Sequence, residues 1–154
     1  MELNLSSCYR VFLGHYSCIA KSLGVSPNPD SRSDEASYVT YRALMLFKLD
    51  LLLIEHQNKV DPDRLFLFGE YALNHYLFTK KGVPYSETKN LSLHDKLTIL
   101  AEELISYSVP DEVLNYLKTE FNFSHYGFKS VSNDKRKFTE SEWSFDLAEQ
   151  RLNQ

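Results

Sequence analysis

A few residues of this 154-residue sequence have the types and spacing from which a catalytic site could be built. Arg10 and His15 are the sharpest candidates, because an arginine can stabilise negative charge and a histidine can transfer a proton near neutral pH. The acidic pairs at 102–103 and 111–112 are weaker candidates. Adjacent carboxylates point in different directions on a helix, so we interpret these pairs as solvated surface rather than as an acid and a base.

The Arg10-x-x-x-x-His15 segment resembles the Arg-x(4–6)-His pattern that HEPN ribonucleases, a helical family, carry on a core helix. The resemblance covers six residues. It implies a metal-independent ribonuclease in which Arg10 stabilises phosphate charge and His15 positions or transfers a proton. We favour the alternative interpretation, in which Arg10 is solvated, His15 is half-buried beside Cys18, and the segment has no catalytic role.

Asp50 is a further candidate for a functional residue, because it lies within the most apolar predicted helix. An unpaired charge is costly there. One interpretation places Asp50 on a narrow wet stripe with Arg42 and Lys48 nearby, and this is the one we favour. The other gives Asp50 a buried partner, which would mark a polar site inside the helical bundle.

The sequence does not indicate a metal, nucleotide or other cofactor site. No two of the five histidines are three or four positions apart, and no Glu-x-x-His motif occurs. There is no Gly-x-Gly-x-x-Gly, no Walker loop and no Gly-x-Ser-x-Gly elbow. We therefore expect neither a metal nor a cofactor.

The distribution of charge along the chain indicates which class of macromolecule it could bind. The net charge is −4, and the acidic excess falls within residues 61–120, which carry six basic and ten acidic side chains. A nucleic-acid-binding protein normally has a net basic face, so we do not expect nucleic acid as the main partner. A mildly acidic surface suits a protein partner with a basic surface.

Three further features of the sequence predict a cytoplasmic location. Cys8 and Cys18 are too few for a disulfide scaffold and are expected to be reduced. The residues before Cys8 do not form a signal peptide. The longest apolar stretch, residues 43–54, is too short to span a bilayer and is interrupted by Lys48 and Asp50.

The spacing of apolar residues and the sparse glycines and prolines predict one all-α domain over residues 1–154, with five or six helices. Helices are predicted over 6–23, over 34–59 and from 61 to 80 or 81. Two more open at 92 and 111, and capping-box residues Thr139 and Glu142 predict a last one over 139–152. The helix over 34–59 is apolar almost all round and should run through the centre.

Residues 121–138 lose helical periodicity and are predicted to be irregular. The aromatic side chains there lie among serine, asparagine and glycine, a composition typical of binding surfaces. The candidate partner-binding residues are Phe121, Phe123, His125, Tyr126 and Phe128. The alternative, at even odds, is that these aromatic rings cap the bundle core.

These observations favour a small acidic helical protein that binds another protein without catalysis, as a regulator, inhibitor or immunity-type factor, and that could form a homodimer. The ribonuclease using Arg10 and His15 is the alternative. A third class, a sensor with a small-ligand pocket between helices, stays open.

Overall fold

The computed structural model describes residues 2–26, 33–123 and 136–152, and every regular element in these ranges is helical. This confirms the predicted all-α class. These ranges contain eight α-helices and one 3-10 turn, more elements than the five or six expected. The helices are α1 Leu5–Leu23, α2 Asp34–Val60, α3 Glu70–Lys81, α4 Tyr85–Thr88, α5 Leu93–Ile99, α6 Ala101–Ser106, α7 Asp111–Glu120 and α8 Asp146–Leu152, with the 3-10 turn at Glu140–Glu142.

The two longest helices begin and end close to where the sequence predicts. The Asn4 side chain accepts from the Ser7 amide and starts α1, and Gly24 ends it in a left-handed conformation at φ 70°. The Ser33 side chain accepts from the Ala36 amide and starts α2. Asn4, Gly24 and Ser33 act within one turn of the helix end that each one caps, so the sequence alone places these three ends closely.

Helix α2 carries much of the core and brings its polar residues inside the protein. Sixteen of its residues are buried, and it packs against α1, α3, α6 and α8. Helix α8 also packs closely on α1, where a Cβ added at Gly14 would lie 2.9 Å from a methyl carbon of Leu147. The contacts among α1, α2 and α8 determine where the buried polar groups meet.

The predicted start of the third helix at Asp61 is wrong, because residues 61–69 form a loop. The Asp61 carboxylate accepts hydrogen bonds from the amides of residues 65, 66 and 67 at 2.7–3.1 Å. These bonds lower the pKa of Asp61 and fold the chain back over this side chain. Arg64 at φ 55° and Gly69 at φ 58° have positive φ, so α3 begins only at Glu70.

The predicted C-terminal helix over 139–152 is also corrected. The Thr139–Glu142 capping box forms, but it opens only a single 3-10 turn, and Trp143 is then extended at φ −137°. Helix α8 starts at Asp146. The interruption has a tertiary cause, because Glu142 and Trp143 both bond to α2, as described below.

Two smaller differences concern the middle of the chain. The helix predicted from residue 92 is divided at Leu100 into α5 and α6, and the segment 83–90, predicted as a loop, contains α4. Helix α7 opens at Asp111 as predicted. None of the described helices combines the length and the apolar character needed to cross a membrane.

Candidate functional site

Asp50 lies at the centre of a buried polar cluster formed by α1, α2 and the segment before α8. Its side chain is fully buried, and its Oδ2 lies 2.5 Å from Nε2 of His15. The indole N–H of Trp143 donates to Oδ1 at 2.9 Å. The expectation that Asp50 lies on a wet stripe is therefore wrong, and the buried alternative is the one observed.

Burial from solvent limits the chemistry that this cluster can perform. Burial raises the pKa of Asp50, while the contact with His15 and the bond from Trp143 oppose that rise. A histidine and a carboxylate at this distance have the composition of an acid–base pair. However, His15 is only 4% exposed and Asp50 not at all, so a substrate cannot reach either group. The arrangement instead joins three elements of the fold through one carboxylate.

The structure does not bring Arg10 and His15 to a shared cleft. They are five residues apart on α1, so their side chains leave the helix about 140° apart. Arg10 is exposed, whereas His15 is buried against Asp50. Cys18, the expected neighbour of His15, is exposed. This geometry gives no support to a ribonuclease site at these two residues.

Arg42 and Glu142 form a buried ion pair that the sequence also did not predict. The Arg42 guanidinium donates to both carboxylate oxygens of Glu142, at 2.7 and 3.0 Å, and to the main-chain carbonyl of Arg136 at 2.9 Å. It also lies 4.1 Å from the centre of the Phe138 ring. Glu142 is fully buried, so the pair anchors the 3-10 turn onto α2. Arg42 was expected near Asp50 on a wet stripe and instead has this separate partner.

A cleft of about 430 Å³ lies beside the Asp50 cluster. It is lined by the start of α3, by the segment leading into α5 and by residues 140–146. Trp143 belongs both to this cleft and to the Asp50 cluster, because it lines the cleft and donates its N–H to Asp50. Lys96 is buried against the same cleft.

His56 and His75 form a further polar contact, between α2 and α3, with Nε2 of His56 2.9 Å from Nδ1 of His75. Burial, followed by the charges of His75 and of nearby lysines, lowers the pKa of His56 to about 4. The imidazole of His56 is therefore neutral in the folded protein at neutral pH.

This shift predicts a pH-dependent stability. Between pH 6.5 and about 4 the unfolded chain takes up a proton at His56 and the folded chain does not, so stability should fall as the pH decreases through this window. We expect a loss on the order of 2 kcal/mol, since exposed lysines supply part of the shift and are screened. Urea unfolding across this pH range should show that the free energy of unfolding falls less for His56→Gln than for the wild-type chain. Parallel pH profiles for the two proteins would contradict the assignment.

The aromatic residues predicted to bind a partner are only partly described. Phe121 is 4% exposed and packs on Phe12 with ring centres 4.6 Å apart. Phe123 is half-buried, and its carbonyl accepts from the Tyr41 hydroxyl at 2.6 Å. These two rings therefore cover the core, which is the alternative that the sequence left open at even odds. The other three residues, His125, Tyr126 and Phe128, lie outside the described residues.

A different part of the chain, residues 60–78, exposes large apolar side chains. Across the described ranges, seven large apolar side chains are exposed, and six lie between residues 60 and 78. We call these six the apolar patch: Val60, Leu65, Phe66, Phe68, Tyr71 and Phe78. A ring contact of 5.4 Å between Phe68 and Tyr71 joins the loop to α3.

The apolar patch was missed because residues 65–68 were assigned to a helix interior. The sequence signal was the run Leu65-Phe66-Leu67-Phe68 directly after Asp-Pro-Asp-Arg, which is rich in turn residues. Of the four, only Leu67 is buried.

No group of three or more histidine, cysteine or acidic side chains within the described ranges is arranged to hold a metal ion. Comparisons of the chain with models of protein families, with curated proteins and with solved structures found no match.

Proposed function

We propose that this chain is a protein-binding factor that acts without catalysis, as a regulator, inhibitor or immunity-type protein, and that it binds through the apolar patch. The observation that supports this most is the exposure of the six patch side chains, which ranges from 43% for Tyr71 to 74% for Phe66. Exposed apolar side chains grouped in this way mark interaction surfaces, and phenylalanine and tyrosine are enriched in the cores of interfaces.

The occupant that we infer for the patch is a second copy of this chain. Tyr71 and Phe78 are seven positions apart and share one exposed face of α3, with half-buried His75 between them. Two copies of α3 packed antiparallel about a two-fold axis near His75 place Tyr71 of each copy opposite Phe78 of the other.

Two further effects favour this antiparallel arrangement. The dipoles of the two α3 helices oppose each other, and the apolar faces become mutually covered. A hetero-partner with a basic surface remains the competing occupant, and it would leave the isolated chain monomeric.

The first test removes one ring of the patch. Phe78→Ser should weaken self-association about tenfold or more, because a ring at the centre of a small interface contributes strongly to binding. Light scattering after size exclusion, over a series of loading concentrations, measures this effect. Ile105→Ser is the matched control, since Ile105 is 70% exposed but lies on α6, outside the patch. A wild-type chain that is monomeric throughout, or equal effects of both substitutions, would overturn the proposal.

The second test removes the other ring on the same face of α3. Tyr71→Ser should weaken self-association about as much as Phe78→Ser, because antiparallel packing places Tyr71 of each copy against Phe78 of the other. Self-association left unchanged by Tyr71→Ser would rule out the antiparallel packing of α3.

The proposal also includes one inference about the fold and one about the location of the protein in the cell. We take α2 to be the central helix of the bundle, since its buried residues lie almost all round it. We infer a cytoplasmic location, since Cys8 and Cys18 are both free thiols.

A further inference from the structure

The cleft beside Trp143 has the size and the walls of a small-molecule pocket. Its volume of about 430 Å³ falls within the usual range for such pockets. Its apolar wall is formed by Leu73, Leu91, Leu93, Trp143 and Phe145, and its ionisable lining by Glu70, Lys89, Lys96, Glu140 and Asp146. Charges of both signs therefore face one apolar space.

Lys96 is the innermost of these charges. It is 8% exposed, and its ammonium donates to Oδ1 of Asn74 at 2.8 Å. No carboxylate of the described chain forms an ion pair with it, although Glu70 and Glu140 act on it from a distance. A buried ammonium whose one hydrogen-bonding partner is neutral has donors left for a negatively charged group.

The carboxylates at the cleft are nearer the solvent than Lys96. Glu140 and Asp146 are both exposed. The amide of Leu93 donates to Glu140 at 2.8 Å, and this bond lowers the pKa of Glu140 and keeps it ionised. A ligand with only negative charge would be repelled here. A ligand that carries an additional ammonium group would have a partner for each of its charges.

We propose that this cleft binds a free amino acid with an apolar side chain. Its carboxylate pairs with Lys96, its ammonium group with Glu140 and Asp146, and its side chain packs against Trp143 and the leucines of the wall. The inference is independent of the dimer, because Lys96 and Trp143 do not belong to the apolar patch.

The ligand's chemical groups can be tested on the unmodified protein. Trp143 is the only tryptophan of the chain and lines the cleft, so its fluorescence reports occupancy directly. Titration with L-leucine and L-phenylalanine should change the fluorescence saturably. L-Leucinamide, which lacks the carboxylate, and N-acetyl-L-leucine, which lacks the ammonium, should each bind about tenfold more weakly or worse. No response to either amino acid, or equal binding of either analogue, would overturn the proposal.

A pair of lysine variants tests the residue that we assign. Lys96→Met keeps most of the side-chain volume and removes a buried charge, so the fold should persist while affinity for L-leucine falls about tenfold or more. Lys118→Met is the matched control, because Lys118 is exposed on α7 and should leave binding unchanged. Isothermal titration calorimetry of both variants gives the comparison. Wild-type affinity in Lys96→Met, or an equal loss in the control, would refute the assignment.

Discussion

Replacing Glu142 by leucine should lower the free energy of unfolding by about 3–5 kcal/mol, which is the usual effect of removing one partner of a buried ion pair. Glu142 is fully buried and accepts two hydrogen bonds from the Arg42 guanidinium. Without it, the arginine remains 95% buried with no opposite charge beside it. The Thr139 amide also loses its acceptor, so the capping box is lost together with the ion pair.

Urea unfolding followed by far-UV circular dichroism measures this loss. Glu120→Leu is the control, because Glu120 is exposed at the end of α7 and its replacement should change stability by about 0.5 kcal/mol or less. The double variant Arg42→Met with Glu142→Leu should be more stable than Glu142→Leu alone, since no buried charge is left unpaired. Additive losses in the double variant would show that the two side chains do not act as a pair.

Asp50→Ala should cost about 3 kcal/mol, the second of the two largest effects. The substitution leaves both His15 and the Trp143 indole N–H without their buried partner, and it opens a cavity in the core. Asp50→Asn keeps the shape and both hydrogen-bonding positions, so it should cost about 1 kcal/mol. The difference between the two variants gives the combined cost of the lost hydrogen bonds and the cavity, separate from the effect of the charge.

Unfolding in urea, with Trp143 fluorescence as a second probe, gives both values. Asp63→Ala is the control, since Asp63 is exposed in the loop between α2 and α3. Asp50→Ala should also move the Trp143 emission, because its indole loses a fixed partner. A stability for Asp50→Ala equal to that of the control would contradict the buried position of Asp50.

The fold was predictable where its signals are local. The capping residues Asn4 and Ser33 and the terminal Gly24 act within one helical turn, so sequence spacing places α1 and α2 closely. Asp61 also carries a local capping signal, but its carboxylate bonds three amides of a loop and not a helix. The predicted helix start at Asp61 is therefore wrong, because a carboxylate that bonds loop amides has the same local sequence signal as one that caps a helix.

The polar cluster was not predictable in the same way, because its members lie far apart in sequence. His15 is 35 positions from Asp50 and Trp143 is 93, and no local pattern connects either to that carboxylate. Periodicity predicted a helix around Asp50 with apolar residues almost all round it. It could not show that α1 and the segment before α8 supply hydrogen-bonding partners for Asp50. The carboxylate was therefore predicted to face solvent.

The candidate binding surfaces were missed for related reasons. Aromatic composition directed attention to residues 121–128, where Phe121 is in fact drawn into the core by the rings of α1. Exposed rings lie instead within the loop after Asp61, at Phe66 and Phe68, and on α3. The exposure of Phe66 and Phe68 was not predicted because this loop was predicted to be helical. The cleft is lined by residues from three separate segments, and no single segment carries a sequence motif that indicates a pocket.

Sedimentation equilibrium of the unmodified chain, over a wide range of concentrations at neutral pH, tests most directly the claim that the apolar patch is covered by a second copy. We expect the mean mass to rise with concentration from the 17.9 kDa of one chain towards twice that value. A mass that stays at one chain up to high micromolar concentrations would contradict the claim.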